Sequence, residues 1–367
     1  MNMQPPRVVM ISPSYGAQAG AEVQLKGLTR HLTNKTFIIT KKTISNISKP
    51  DISEENLISL SSFLYPFLFL IEIFIWLIRN RNQYDLIHIH TTDSPAVISI
   101  LSCLITKRKN IIKITRIGEN SFFDIKNKTY LGLLFYRFIM NFSDNFIAIS
   151  DEIEETLLDR KVPKQKIKRI NNGVDAFFFT KEFSSVSKNY LYLGRLIKRK
   201  QVDKLIIAWS KARCKSKHCK LNIVGNGPEM ENLKLLVSQL KLKDSVIFHG
   251  EVKHPNVRNF FKTNGFFIQS SSSEGSSNAL LEALSSSMVC IVNNITANTE
   301  IITHGINGFV YKNLDELINL IDNMQAISEK EIDKLIKNQK KIIAKDFSFK
   351  KISDQYSLAY SKIVSNE

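Results

Sequence analysis

Residues Phe266–Leu284, FFIQSSSSEGSSNALLEAL, contain the pattern on which the fold prediction rests. An apolar run at the start predicts a short buried strand, and the Ser/Gly run after it predicts a loop. The apolar spacing that follows predicts an amphipathic helix, for which Ser276, Ser277 or Asn278 is a suitable N-cap. A strand that leads through a loop into a helix is the unit from which parallel α/β sheets are built.

The same alternation of β-branched runs and helical patterns continues along all 367 residues. It forms two series of about six strands, separated near 179–188 by a polar stretch, so two doubly wound sheets fit better than one wide sheet. The first series of predicted strands is Arg7–Ser12, Phe37–Lys41, Leu86–His90, Ile111–Thr115, Asn145–Ser150 and Lys168–Ile170. The second is Tyr190–Gly194, Lys220–Val224, Val246–His249, Gly265–Gln269, Val289–Asn293 and Gly308–Val310.

Two carboxylates and a helix N-terminus occur together in the stretch quoted first. The backbone amides and the positive end of the helix dipole before Asn278 suit an anion. Glu274 lies in the loop and Glu282 just over one turn into the helix, so both can face one groove. Beside a bound diphosphate they would contact neutral sugar and ribose hydroxyls, because like charges repel. The alternative is a capped helix with a solvated Glu282, and the spacing alone favours that alternative.

Cations follow the predicted strand in Tyr190–Gln201, YLYLGRLIKRKQ. Arg195 can bind one phosphate with its forked guanidinium, and Lys200 can act as a point charge on another. Such cations would stabilise a diphosphate leaving group, on which charge builds as a glycosidic bond breaks. The alternative is that the whole run is an ordinary charged surface. Lys198 and Arg199, which belong to the same run, are interpreted as solvated residues.

Two further strands lead into loops that contain glycine. In Leu221–Met230, LNIVGNGPEM, the segment Gly225–Gly227 predicts a tight turn that lets a ligand approach the backbone. A dinucleotide fingerprint would need glycine in place of Met230, so no NAD site is predicted. In Ser12–Glu22, SPSYGAQAGAE, Gly20 can bring backbone amides near a phosphate, or the stretch is simply the flexible first loop of a sheet.

The composition is that of a globular protein with an excess of positive charge. Apolar residues make up 43% of the chain and charged residues 23%, and the formal net charge is +17. The charge indicates acidic partners or only a compositional bias. A nucleic-acid-binding protein is a rival function, but no nucleic-acid module is recognisable, so that partner is not predicted. The four cysteines have neither disulfide-framework nor zinc spacing, and no metal site is predicted.

One apolar stretch, Phe63–Ile78, is relevant to where the protein is located in the cell. It is shorter than the roughly 20 apolar residues of a membrane span, and Tyr65, Pro66 and Glu72 interrupt it. Two interpretations stay open: the helix packs wholly against the first sheet, or it inserts into an anionic membrane surface. Without a signal-peptide pattern, the predicted location is the cytoplasm, with peripheral binding to the inner face of the cell membrane under the second interpretation. The aromatic residues assigned to insertion are Phe67, Phe69, Phe74 and Trp76, with a second run at Tyr130–Phe142.

Several of these segments form an ordered set of motifs. Glu274 and Glu282 form an E-x7-E pair, preceded by Gly194-Arg195-Leu196 with Lys200. The other motifs are Ala19-Gly20-Ala21-Glu22, Tyr84–His90 (YDLIHIH), Asn171–Asp175 (NNGVD), Val224–Pro228 (VGNGP) and Asp346–Ser348 (DFS) before a last amphipathic helix. Each motif alone is weak, but the ordered set is specific and covers nearly the whole chain. The chain resembles glycosyltransferase family 4.

This resemblance implies a GT-B fold, in which two Rossmann-like doubly wound domains face a central cleft. The implied parts are an acceptor-binding domain at 1–183, a nucleotide-sugar-binding domain at 184–345, and a helix at 346–367 that crosses back to the first domain. It implies a retaining hexosyltransferase that needs neither metal nor cofactor and uses a UDP- or GDP-sugar. The implied acceptor is a saccharide or lipid-linked saccharide in bacterial surface polysaccharide synthesis.

The resemblance also implies a role for each matching residue. Arg195 and Lys200 would hold the donor diphosphate, and Glu274 would bind the transferred sugar; these are the implied catalytic residues. The implied donor-binding residues are Glu282 at the ribose, Gly20 near the phosphates, Gly225 near the base, and Asn278, Ala279 and Leu280 at the helix N-terminus.

Three positions depart from the family pattern. Ile117 replaces the histidine of a His-Gly pair, Ala19 replaces the first glycine of the opening loop, and Gln201 replaces the glycine after the motif lysine. The departures favour an alternative function, a non-catalytic GT-B partner subunit of a glycosyltransferase complex, which the intact charged residues oppose. Three charged residues near the missing histidine have no assigned role: Lys113, Arg116 and Glu119.

Overall fold

The computed structural model describes residues 4–13, 20–41, 57–60, 66–119, 121–175, 188–212 and 219–365. The chain divides into two compact units. The first combines Met1–Gly173 with Phe349–Glu367, and the second consists of Val174–Ser348. The predicted boundary between residues 183 and 184 lies outside the described residues, so the domain limits 1–183, 184–345 and 346–367 stay predictions.

Strands and helices alternate along the described chain. The strands are β1 (Val8–Ile11), β2 (Thr36–Lys41), β3 (Leu57–Leu60), β4 (Leu86–Ile89), β5 (Lys109–Ile114), β6 (Asn145–Ala148), β7 (Ile167–Arg169), β8 (Tyr190–Leu193), β9 (Leu221–Val224), β10 (Val246–Gly250), β11 (Phe266–Gln269), β12 (Val289–Asn293) and β13 (Phe309–Tyr311). The helices are α1 (Gly20–His31), α2 (Pro66–Arg79), α3 (Ser94–Thr106), α4 (Tyr130–Phe142), α5 (Asp151–Asp159), α6 (Val202–Lys211), α7 (Met230–Gln239), α8 (His254–Thr263), α9 (Asn278–Ser285), α10 (Thr296–Thr299), α11 (Leu314–Asn323), α12 (Glu329–Ile342) and α13 (Phe349–Ser365).

Each unit contains one parallel sheet, and the two sheets share a winding order. The first sheet runs β3-β2-β1-β4-β5-β6-β7 and the second β10-β9-β8-β11-β12-β13. In each sheet the order in which strands are added reverses beside the first strand of the unit, β1 or β8, as it does in doubly wound sheets. Such sheets bind ligands in the crevice at that point. The predicted fold class, two doubly wound α/β units, is confirmed. The edge strand β3, which pairs with β2, is not among the predicted strands.

The central strands are mostly apolar and are buried on both sides, because helices cover both faces of each sheet. Every residue of β1 and β4 is buried, including the polar His88. Cys103, Cys219 and Cys290 are buried, each within a core cluster. The fourth cysteine, Cys214, lies outside the described residues.

The last helix, α13, belongs to the first unit and packs against α1. Its first residue, Phe349, lies so close to Gly27 and Gly173 that a Cβ on either glycine would overlap the Phe349 ring. Gln24 pairs with Gly173 through two hydrogen bonds, donating to its carbonyl oxygen at 2.7 Å and accepting from its N–H at 2.8 Å. The glycine of the NNGVD motif is therefore needed for the close approach of an aromatic ring.

Helix α2 buries one face and exposes another, although nearly all its residues are apolar. Phe69, Ile73 and Leu77, spaced four apart, are fully buried against the first sheet. Phe67 is 71% exposed, and the neighbouring side chains of Ile71 and Ile75 are exposed as well. The interpretation that this helix packs wholly against the sheet is therefore wrong. So is the assignment of Phe69 to membrane insertion, because that ring lies in the core. The segment Phe63–Tyr65 lies outside the described residues.

Among the helices that the structure describes, none is both long and apolar enough to span a bilayer.

Candidate active site

The loops that follow β8 and β11 are bonded to each other at the carboxyl edge of the second sheet. Ser270 Oγ donates to the carbonyl oxygen of Lys200 at 2.7 Å, and the Ser272 N–H donates to that of Arg199 at 2.8 Å. β8 and β11 are parallel neighbours, so their carboxyl ends meet at the edge where such sheets bind ligands. The cationic segment and the Ser/Gly loop therefore form one site.

Glu274 is a buried carboxylate held by two cations. Its side chain is 7% exposed and pairs with Lys200 Nζ and, at 3.3 Å, with Arg199 Nη1. Ser271 Oγ donates a further bond at 2.6 Å. Burial by itself raises the pKa of Glu274, but attraction to Lys200, with the bonds from Ser271 and Arg199, holds the pKa below its usual value. The carboxylate is therefore ionised at neutral pH and fixed in position.

Arg199 belongs to the site, so its interpretation as a solvated residue is wrong. Its Nη1 donates to the carbonyl oxygen of Ser273 at 2.9 Å as well as to Glu274. The guanidinium thus ties the Ser/Gly loop to the cationic segment. Lys198, in the same run, is exposed as expected. The sequence could not predict the position of Arg199, because three adjacent cationic residues give no periodic pattern that shows which side chain points into the site.

Helix α9 places the second carboxylate of the E-x7-E pair. Ser277 is its N-cap, and the Ser277 side chain accepts from the Leu280 N–H at 3.3 Å, as predicted for one of three candidates. Glu282 is buried, so the alternative of a solvated Glu282 is wrong. In the first turn, Asn278 and Ala279 are half-buried and Leu280 is fully buried.

The turn after β9 is packed closely against the turn after β8. Gly225 has a φ of +135°, and a Cβ on it would overlap the carbonyl oxygen of Gly194. A Cβ on Gly227 would overlap the carbonyl oxygen of Leu196 in the same way. Both glycines are therefore required by a neighbouring stretch of this chain's own backbone, whereas the sequence suggested the approach of a ligand. Arg195 lies between Gly194 and Leu196, so this close packing fixes the position of its backbone.

The remaining predicted residues occupy three different settings. Arg195 is exposed directly after β8. Gly20 is exposed at the start of α1, in the first unit, and Ala19 lies outside the described residues. Gln201 has the left-handed conformation, with φ 48°, directly after Lys200. Glycine adopts that conformation without strain. At this departure from the family pattern, Gln201 therefore has the backbone conformation that the family glycine would adopt.

Two family models match consecutive parts of the chain. The model described as Glycosyltransferase Family 4 matches residues 8–176, and the model described as Glycosyl transferases group 1 matches residues 174–343. The chain belongs to glycosyltransferase family 4. A family 4 enzyme transfers a glycosyl group, and the charged site of the second unit lies within the group 1 match.

Two relatives of this family 4 glycosyltransferase have low sequence identity to it. The N-acetyl-alpha-D-glucosaminyl L-malate synthase of Bacillus anthracis is 23% identical over 79% of this chain and 78% of its own length. The capsular polysaccharide biosynthesis glycosyltransferase CapH of Staphylococcus aureus is 25% identical over 66% of this chain and 67% of its own.

Solved structures share the fold of this family 4 glycosyltransferase. The Anabaena HepE complex with UDP has a TM-score of 0.80 at 16% identity, covering 97% of this chain and 100% of that chain. The complex of the same protein with UDP-glucose has a TM-score of 0.79 at 17% identity and the same coverage. The fold is the GT-B fold that the motifs imply.

The family 4 glycosyltransferase also has a polar cluster in its first unit, and the sequence suggested no role for it. His88 Nδ1 lies 2.7 Å from Tyr360 Oη, and the rings of His88 and His90 are 3.9 Å apart. The ammonium of Lys113 lies 5.8 Å from the ring centre of Tyr356. The sequence contains two signals for it: the histidines of the Tyr84–His90 motif and a lysine near the end of β5, KNIIKI.

Proposed function

We propose that this glycosyltransferase transfers a hexose from a UDP- or GDP-sugar to a saccharide or lipid-linked saccharide, with retention of the anomeric configuration. The proposed setting is the synthesis of a bacterial surface polysaccharide. The observation that carries the proposal is the cluster of Glu274, Lys200 and Arg199 at the carboxyl edge of the second sheet. It combines a fixed carboxylate, in the loop that leads into α9, with cations from the segment that follows β8.

Arg195 and Lys200 are the proposed ligands of the donor diphosphate. Charge builds on the diphosphate as the glycosidic bond breaks, and preorganised cations stabilise that charge. The Lys200 ammonium has three donors and gives one to Glu274, so donors remain for a phosphate oxygen. Arg195 is exposed, and its side chain has no ion pair within the parts of the chain that the structure describes.

Glu274 is the proposed ligand of the transferred sugar. Its three partners keep it ionised, so it can accept hydrogen bonds from sugar hydroxyls. In the proposed front-face reaction, the acceptor oxygen bonds to the anomeric carbon on the side from which the diphosphate leaves. The acceptor's proton passes to the departing phosphate oxygen, which replaces a protein base.

The remaining donor contacts are proposed from the motif positions. Glu282 would bind the ribose, Gly225 would lie near the base, and Gly20 near the phosphates, with Asn278, Ala279 and Leu280 at the helix N-terminus. The UDP and UDP-glucose complexes of the Anabaena protein with this fold support a nucleotide-sugar donor. A metal is not required in this proposal, because cations bind the diphosphate.

The acceptor is proposed from the relatives and from the exposed surface of the first unit. CapH is a capsular polysaccharide glycosyltransferase, which supports a saccharide acceptor here. A lipid-linked acceptor would require contact with a membrane. Helices α2, α3 and α4 pack side by side and expose large apolar residues: Phe67, Leu68, Ile71, Ile75, Leu101, Leu104, Ile105, Tyr130, Leu131, Leu134 and Phe142.

Exposed basic residues accompany this apolar surface, which supports anionic lipid as its occupant. Arg79 ends α2, Lys107 follows α3, and Arg137 lies in α4, all exposed. Apolar insertion combined with attraction to anionic headgroups is how interfacial helices bind, at about 1 kcal/mol for each basic residue near the surface. The proposed location is therefore the cytoplasm, with peripheral binding at the inner face of the membrane.

Release of UDP or GDP from a panel of nucleotide sugars, with a cell extract as the acceptor source, tests the proposal. Arg195→Ala and Lys200→Ala should each lower the turnover number by about a hundredfold or more, because each removes charge from the leaving group. Lys198→Ala, from the same run, is the control and should keep the wild-type rate. Near-normal turnover in both site variants would remove the assignment of the diphosphate ligands.

The same assay separates two further alternatives. EDTA should leave the rate unchanged, and a rate abolished by EDTA and restored by Mn²⁺ would contradict metal independence. A non-catalytic partner subunit would release no nucleotide by itself from any donor.

Flotation with liposomes that contain phosphatidylglycerol tests the membrane surface. The wild type should float at low salt, and Phe67→Glu/Ile71→Glu should lower the bound fraction at least tenfold, because two inserted apolar side chains are replaced by charges. Leu235→Glu, at an exposed leucine in α7 of the second unit, is the matched control. A wild type that stays with the unbound protein would end the membrane proposal.

A further inference from the structure

A cavity of about 220 Å³ opens at the carboxyl ends of β4 and β5. All its lining residues belong to the first unit. Two cations line it, Lys113 from β5 and Arg116 from the loop after β5, together with His90. The hydroxyl-bearing residues of the lining are Thr91, Thr92, Thr115 and Ser121.

Lys113 is a buried cation with no anionic partner among the residues that the structure describes. It is 6% exposed, and its nearby aromatic contact is the ring of Tyr356. Burial lowers the pKa of Lys113 from 10.5 to about 8, so the ammonium is still largely protonated at pH 7. A buried charge is costly unless it is paired, which makes an external anion the natural partner.

The other polar groups of the cavity suit an anion as well. The Nε2 atom of His90 is buried and has no hydrogen-bond partner in the described part of the chain. Helix α3 directs its N-terminus to this edge, and its N-cap Asp93 makes no side-chain cap bond. Asp93 is the one carboxylate that lines the cavity among the described residues; it is exposed at the rim and accepts a bond from Thr91 Oγ1 at 3.2 Å.

We propose that this cavity binds the oxyanion group, phosphoryl or carboxylate, of an acidic acceptor substrate. An oxyanion would give Lys113 its missing partner and accept hydrogen bonds from the threonine and serine hydroxyls. The volume is that of several water molecules, enough for one such group and part of the ring that carries it. The inference rests on the proposed function in one respect, namely that the bound molecule is the acceptor of the transfer.

Calorimetric titration of the full chain tests the cavity, with excess UDP present so that the donor site is filled. Sulfate serves as the probe for a phosphoryl group and succinate as the probe for a carboxylate, with ionic strength held constant by chloride. We expect the wild type to bind one of the two, and Lys113→Met to bind it at least about tenfold more weakly, since a charge-assisted bond is lost. Lys126→Met, at an exposed lysine before α4, should bind as the wild type does.

A pH series on the wild type makes the test independent of any variant. Sulfate keeps its charge between pH 7 and pH 9.5, whereas Lys113 loses its proton as the pH rises through about 8. The affinity for sulfate or succinate should therefore fall over this range. Burial and neighbouring charges lower the pKa of His90 to about 3, so His90 stays neutral throughout. The other titratable groups around Lys113 are His88, Tyr356, Tyr360, Arg116 and Asp93.

Two results would overturn the inference: no binding of either probe to the wild type, or equal binding by Lys113→Met. Binding of UDP and of GDP, each measured in the same buffer, separates this outcome from failure of the proposed function. If UDP binds and neither probe does, the anion cavity is wrong and the transferase site stands. If no nucleotide binds while the probes do, the donor site is wrong and the cavity stands.

Discussion

The two sheets of the chain have the same winding order, and each buries a charged side chain near its carboxyl edge. The two charged side chains differ in the residues that surround them. In the second unit, Glu274 is surrounded by Lys200, Arg199 and Ser271. In the first unit, Lys113 has no carboxylate partner among the described residues, and its ammonium lies 5.8 Å from the ring centre of Tyr356. Within the described residues, the first charge has oppositely charged partners and the second has none.

This difference in charge pairing gives the two sheet edges different roles in binding. A compensated carboxylate is already part of the folded structure, so it can orient a neutral group such as a sugar hydroxyl without being displaced. An uncompensated ammonium reduces stability until an anion arrives, and part of its binding energy for that anion comes from the relief of this cost. The pKa values of the two groups agree with this difference. The pKa of Glu274 is lowered, which favours its charged form, and the pKa of Lys113 is lowered, which disfavours its charged form.

The largest effect is expected when the compensation of Glu274 is broken. Lys200→Met should lower the free energy of unfolding by about 3 kcal/mol at pH 7, because a buried carboxylate loses its nearest cation. Urea denaturation measures the change, and Lys198→Met, at an exposed residue, should leave stability unaltered. The folded pKa of Glu274 is lowered, so its contribution is present above pH 4.5 and is lost as the pH falls through that lowered value. If Lys200→Met were as stable as the wild type, Arg199 alone would compensate Glu274.

The opposite sign is expected in the first unit. Lys113→Met should raise the free energy of unfolding by about 2 kcal/mol at pH 7, because an apolar side chain of similar length replaces an unpaired buried charge. The measurement is again urea denaturation in chloride buffer without sulfate or phosphate. A loss of stability would show that Lys113 is compensated in the folded state and would remove the contrast between the two edges.

The pH dependence sharpens the contrast further. The folded pKa of Lys113 is about 8, against 10.5 for the free side chain, so between these values the unfolded chain binds more protons than the folded one. The stability of the wild type therefore rises relative to Lys113→Met over this range, and their difference should shrink by roughly 1 to 2 kcal/mol between pH 7 and pH 9.5. A difference that stays constant with pH would mean that Lys113 does not titrate there.

The smallest effect concerns the backbone that positions the second site. Gln201 has a positive φ directly after Lys200, so Gln201→Gly should raise the free energy of unfolding, by less than about 1 kcal/mol. The gain is limited because glycine also makes the unfolded chain more flexible. Ala212→Gly, at a residue with φ −68° after α6, is the control and should lower stability. A loss of stability in Gln201→Gly would indicate that the glutamine side chain contributes more than the backbone conformation costs.

Several features of the fold and site were predictable from local patterns, and others were not. The strand, loop and helix of Phe266–Leu284 and the Ser277 cap follow from spacing and residue type. The edge strand β3 and the inward direction of Arg199 do not, because neighbours distant in sequence decide both. The same holds for α2, where Phe67 and Phe69 are alike in sequence and only the packing of the helix exposes one and buries the other.

Local sequence patterns are sufficient to identify the family, the two doubly wound units and the residues of the cationic and acidic motifs, because strand period, turn residues and motif order are local properties. Tertiary structure alone decided which charges are paired. Glu274 meets Lys200 and Arg199 because β8 and β11 are neighbours in the sheet although more than 70 residues separate the two segments. Lys113 is buried, with no carboxylate partner in the described parts of the chain, because β5 runs through the core and α13 returns to cover it with Tyr356. The free energy of a charge depends on its surroundings in three dimensions, and local sequence does not encode those surroundings.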